Sequence, residues 1–165
     1  MHIVNIFIDK GSARYYNRVN IYIIFCKEER FMNRKTAREN AFILLFELGC
    51  KNDETAEEIF EKATGIRELE CDDFVKHTFF GTNENLKVID ECIEKSLVGW
   101  KSARLSIVSR AVLRLAVYEL MFVEDIPARV SINEAIELSK KYDDEKAYML
   151  VNGALNAAAE SLGVK

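Results

Sequence analysis

An all-α fold is what this sequence predicts, on three observations. The 165 residues contain one proline and seven glycines, too few chain breakers for the many turns of a sandwich or barrel. From Met32 onward apolar residues recur at helical spacing almost without interruption. Three segments open with Ser or Thr followed three residues later by Glu, the pattern of a capping box. Together these give a compact bundle of about seven helices with short links.

Taken in order, Thr36 with Glu39 is expected to cap a first helix whose inner face holds Ala37, Ala41, Leu44, Leu45 and Leu48, with Gly49 as its stop. Thr55 with Glu58 opens "TAEEIFEKATG", with Ile59, Phe60 and Ala63 inward and Gly65 ending it. A helical region over about 70–98 lines up Phe74, Val75, Thr78, Phe79, Leu86, Ile89, Ile93 and Leu97, with Trp100 closing it and "GTNEN" as a kink. The stretch "SIVSRAVLRLAVYELMFV" is apolar nearly all round in its upper half, which predicts the central, most buried helix. After Pro127, Ser131 with Glu134 is expected to start a helix carrying Ile132, Ala135, Ile136 and Leu138. The turn "DDEK" then leads into the last helix, "AYMLVNGALNAAAESLG".

The chain changes character at Met32. Residues 1–31 carry five basic and three acidic residues, net +2, with β-branched and aromatic residues and no helical period. The remainder carries 18 basic and 24 acidic, net −6, within an overall charge of −4. Residues 1–31 therefore read as an N-terminal extension or a β-hairpin arm, with Met32 as the natural start and 32–165 as the functional domain. An acidic total argues against a strongly basic nucleic-acid coat but leaves room for a local basic patch.

Composition and motifs exclude several function classes. No run approaches the about 20 apolar residues of a membrane span, and "VNIYIIFC" followed by "KEER" makes a poor signal peptide. A cytoplasmic protein is expected. Cys26, Cys50, Cys71 and Cys92 are scattered, without the close spacing of a zinc site or disulfide framework. His2 and His77 are the only histidines, and no phosphate-cradling loop or nucleophile motif occurs. No metal, cofactor or catalytic set is implied, and the chain reads as a binding module rather than an enzyme.

Two groups of residues invite a role. Arg34, Lys35 and Arg38 cluster at the start of the first helix, where cations oppose the helix dipole. A sequence that tolerates this cost is a candidate for contacting phosphates. Arg104, Arg110 and Arg114 lie on the central segment with Glu119, and guanidiniums beside "AVL" and "LAVYEL" need partners, for which Glu134 is a candidate. Asn133 is expected to bond backbone across a helix junction. Gly153, beside Asn152 in mid-helix, costs about 1 kcal/mol relative to Ala and is expected where another helix crosses closely. These residues read as a structural network.

Four segments in order, "RKTARENAFILLFE", "RAVLRLAVYEL", "IPARVSINEAIELSKKY" and "VNGALN", make residues 32–162 resemble the NusB family of bacterial transcription antitermination factors. The resemblance implies two small helical sub-bundles, about 32–100 and 101–163. It also implies binding of boxA RNA together with NusE, a small-subunit ribosomal protein, within an RNA polymerase antitermination complex. By the same resemblance Arg34, Lys35 and Arg38 are the RNA contact, Phe46 stands where relatives often carry a base-stacking tyrosine, and Lys146 adds contacts from the turn before the last helix. Leu150 stands where the family usually has phenylalanine, and Thr36 where some members have arginine. Some relatives form homodimers that hide the RNA face, a state that composition does not decide.

Two rivals remain beside this reading. The RNA cytosine methyltransferases with a NusB-like domain would need a following cofactor-binding domain with a glycine-rich loop. A protein-interaction scaffold that keeps the fold without RNA binding would be separated by reversing the charge of Arg34, Lys35 and Arg38.

Overall fold

Seven helices form among the residues described in the computed structural model, which are 32–51, 53–97 and 105–164. They are α1 (Arg34–Cys50), α2 (Ala56–Gly65), α3 (Asp73–Glu84), α4 (Leu86–Ser96), α5 (Ile107–Phe122), α6 (Ala128–Tyr142) and α7 (Ala147–Leu162). No strand occurs among the described residues. Residues 1–31, with the expected extension, and 98–104, with Trp100 and Arg104, lie outside them.

The caps explain where most helices begin. The Thr55–Glu58 box forms as expected: the Thr55 hydroxyl accepts from the Glu58 amide at 3.2 Å and the Glu58 carboxylate from the Thr55 amide at 2.9 Å. Asp72 and Ser106 cap α3 and α5 through their side chains. The other two expected boxes do not form. Asn33, not Thr36, caps α1, its side chain accepting from the Lys35 amide at 3.0 Å. Helix α6 begins at Ala128, directly after Pro127, so Ser131 lies inside it with its hydroxyl turned to another helix. The kink expected at "GTNEN" is a full break at Asn85, whose side chain donates to the Gly81 carbonyl at 2.8 Å. Helix α7 ends on Gly163 in the left-handed conformation at φ 69°, where a side chain would be strained.

Helix α5 is the hub, as its apolar run predicts. It packs against α1, α3, α4, α6 and α7, and Val112, Leu113, Leu115, Ala116 and Val117 are buried along it. The halves expected on either side of residue 100 therefore share one continuous core. Fully burying a residue such as Phe79 contributes about 1.5–3 kcal/mol. The consequence for the surface is that the start of α1 and the end of α6 come together, and with them residues far apart in sequence.

Candidate nucleic-acid interface

The basic cluster divides on folding. Arg34 and Lys35 are exposed in the first turn of α1, where the guanidinium of Arg34 stands 4.4 Å above the Phe74 ring. Arg38, one turn further, is buried. Its Nε donates to Glu119 Oε1 at 2.8 Å, and Glu119, also buried, accepts from Ser131 Oγ on its other oxygen at 2.5 Å. Arg38, expected as a contact alongside Arg34 and Lys35, is thus engaged inside, where its pair with Glu119 ties α1, α5 and α6 together.

Two lysines that the sequence reading did not single out, Lys140 and Lys141, lie at the end of α6 facing α1. Glu39 Oε1 accepts from Lys141 Nζ at 2.5 Å and from the Tyr142 hydroxyl, joining α1 to the last turn of α6. The Lys141 hydrogen bond and then that of Tyr142 hold the Glu39 carboxyl below its ordinary range and push the Lys141 ammonium up. Lys140 bonds Glu137 at 2.8 Å and stands 5.5 Å from the centre of the Tyr148 ring. Lys35 lies within electrostatic reach of both Glu39 and Glu137. Lys35, Lys140 and Lys141 thus gather around Glu39 and Glu137, while Arg34 stands over Phe74 at the start of the same helix as Lys35. The run "SKKY" was the available signal, since a basic pair followed by an aromatic residue at a helix end is compatible with the dipole and with binding.

An aromatic row adjoins these charges. Phe42 lies between Phe46, at 6.2 Å, and Tyr142, at 5.0 Å between ring centres. Phe46 is half-buried, and Tyr142 is 37% exposed, so part of a ring faces solvent beside Lys141. Lys146 is exposed at the start of α7, four residues beyond Tyr142 in the same turn. Asp143, between them, accepts from the hydroxyls of Ser106 and Ser109 at 2.8 and 2.5 Å, which brings the first turn of α5 to this edge.

The expected structural network is partly redrawn. Glu119 belongs to it with Arg38 rather than with the central arginines. Arg114 pairs with Asp90 of α4 in a two-bond fork at 2.8 and 2.7 Å, not with Glu134, which is half-buried on α6. Arg110 is half-buried one turn before Arg114. Asn133 is exposed and makes no cross-junction bond among the described residues. Gly153 is exposed, and a Cβ there would meet nothing within 4 Å, so no helix crosses it. Asn152 is exposed beside it and accepts from the Asn156 side chain at 2.7 Å. The close approach occurs instead at Gly81, against Tyr118.

Among the described residues no cluster of His, Cys, Asp or Glu is arranged to hold a metal, and no helix is long and apolar enough to cross a membrane. The fold and this edge define an all-α protein whose exposed cations and rings have the chemistry to meet phosphates and unpaired bases.

Comparison with known proteins specifies the class. The sequence model of the NusB family matches residues 35–160. The chain is 44% identical over 125 residues to the transcription antitermination protein NusB of Bacillus licheniformis, covering 76% of this chain and 95% of that one. It is 46% identical over 140 residues to that of Clostridium botulinum (strain Kyoto / Type A2), covering 75% and 97%. Among solved structures, T. maritima NusB superposes with a TM-score of 0.69 at 39% identity, covering 78% of this chain and 92% of that one. The structure of antitermination factors NusB and NusE in complex with dsRNA also gives a TM-score of 0.69, at 31% identity, covering 78% and 96%. The chain belongs to the NusB family.

Proposed function

We propose that this protein is a transcription antitermination factor that binds boxA RNA together with NusE and acts by assembly, not by turnover, in the cytoplasm. The observation that carries the RNA reading is the meeting of α1 and α6, which brings Lys35 and Lys141 together around Glu39 beside Tyr142, with Phe42 and Phe46 continuing the aromatic row along α1 and Arg34 exposed at its start. Phosphate contacts from the cations would fix the strand, and the rings would stack on unpaired bases. Helix α1 adds to this: with no acidic residue in its first turn, the positive end of its dipole is left uncompensated. Lys146 extends the edge beyond Tyr142. Arg38 serves the site by positioning α1. The partnership with NusE rests on the relative whose structure contains NusE and RNA.

The test is binding of the full chain to a boxA-type RNA, with and without NusE, across a salt series. Tight, salt-sensitive binding that NusE strengthens is the expected result. Lys35→Glu should weaken it at every sequence and flatten the salt slope by about one phosphate contact. Absence of any boxA preference with NusE present would overturn the RNA reading and leave the interaction scaffold.

A further inference from the structure

A cavity of about 250 Å³ opens between the C-terminal end of α1 and the first turns of α5. Leu45, Leu48 and Gly49 of α1 and Ile107, Arg110 and Arg114 of α5 line it. We propose that this cavity takes one unstacked nucleobase of the bound RNA, an inference that rests on the RNA reading above.

Three observations carry it. The cavity continues the basic and aromatic edge: Phe46 sits on the same helix between Leu45 and Leu48, and the Asp143 bonds to Ser106 and Ser109 hold the start of α5 against the end of α6. From the Arg34 end to the cavity, α1 spans about 17–22 Å at 1.5 Å per residue, room for several extended nucleotides. Next, the cavity is smaller than the roughly 300–1,000 Å³ of drug-sized ligand sites, which suits a single ring system. Last, Arg114 is turned into a stacking surface. Its Nε and one terminal nitrogen are engaged by Asp90 in a fork, which pins the guanidinium plane. A guanidinium held this way offers its flat face, on which unstacked bases pack, more than a clamp for phosphate. Ile107, 47% exposed at the rim, is a large apolar side chain that a base would cover.

An abasic scan tests this. A boxA-type RNA oligonucleotide is made with each base removed in turn, and each version is titrated against the full chain with NusE. The comparison runs through wild type, Lys35→Glu, Gly49→Leu and Arg110→Met. Gly49 is exposed on the cavity wall, where a Cβ would already lie 3.3 Å from Ile107 Cγ2, so leucine there crowds the cavity, whereas methionine at 110 keeps the stem and removes the guanidinium. Thermal melts confirm that each variant is folded. In wild type one abasic position is expected to cost roughly tenfold, the scale of a lost stacked base. That same position should cost nothing further in Gly49→Leu or Arg110→Met, while Lys35→Glu should weaken all versions alike. Binding with a flat profile in wild type, or an unchanged profile in both cavity variants, overturns the base site and leaves the RNA reading intact. An abasic penalty that persists in Arg110→Met while the salt slope becomes shallower also overturns it, in favour of a phosphate contact. Failure of wild type to bind RNA removes both.

Discussion

The Nε of Arg38 lies 2.8 Å from Oε1 of Glu119, and both side chains are almost sealed from water, at 6% and 1% exposure. Glu119 completes its coordination with the Ser131 hydroxyl, so three helices meet at one carboxylate. Taking such a pair out of water is costly, and the attraction offsets that cost only while both charges are present. Removing one partner strands the other.

Arg38→Met is therefore expected to destabilise the fold by about 3–5 kcal/mol, read from urea unfolding. Glu119→Leu in the same background should recover much of this, because the stranded carboxylate is gone. RNA affinity of folded Arg38→Met should stay within a few-fold of wild type, whereas Arg34→Glu should lose affinity with little change in stability. Equal stability loss in the double and single variants would refute the pairing as its source.

Gly81 of α3 approaches Tyr118 of α5 so closely that a Cβ would lie 2.3 Å from the phenol oxygen and 2.6 Å from the ring carbon bearing it. Gly81→Ala should cost about 1–3 kcal/mol, the usual cost of overpacking. The sign should reverse in a Tyr118→Ala background, where space opens and alanine is favoured over glycine in a helix by about 1 kcal/mol. A calorimetric melt of the four proteins decides it.

These two contacts show what the sequence could and could not disclose. The helices were legible because apolar spacing is local, and so was the Thr55–Glu58 box, whose four bonding atoms lie within one turn. Ser131 and Glu134 carry the same spacing, yet the Ser131 hydroxyl serves Glu119 on another helix, and the cap gives way to a tertiary bond. Likewise nothing in "RKTAR" separates Arg38 from Arg34: only the helical phase and the arrival of α5 put one inside and one out. Lys141 was visible as a charge but not as a neighbour of Glu39, 102 positions earlier. Contacts between remote segments are what periodicity cannot supply.

Gly153 gives the converse case. It is in the interior of α7, exposed, and with open space where a Cβ would be. Gly153→Ala should therefore stabilise the protein by about 0.5–1 kcal/mol, by relieving the entropic cost of glycine in a helix. A rise in the urea midpoint at unchanged slope is the expected reading. A fall would mean that α7 packs against something at that point after all.

The bridge from Glu39 to Lys141 and Tyr142 makes a prediction with two signs. The Lys141 hydrogen bond, then that of Tyr142, lowers the folded-state pKa of Glu39 from its ordinary value of 4.5. A carboxyl depressed in the folded state contributes stability above its unfolded pKa and loses it as the pH falls through the folded value. Glu54 and Glu137, also lowered by lysine hydrogen bonds, act in the same direction. Wild type should thus lose stability on acidification below the ordinary carboxylate range, and Glu39→Gln should show a shallower decline over that window. At neutral pH Glu39→Gln should be slightly less stable, since the bridge is largely solvent-exposed and worth little. Its RNA affinity should nevertheless rise, because Lys141 is released toward phosphate and a carboxylate leaves the edge. Denaturation midpoints across pH, paired with RNA titrations at one salt concentration, separate the two effects. Superimposable pH profiles would show that the bridge does no stabilising in solution, and an unchanged affinity would remove Lys141 from the interface.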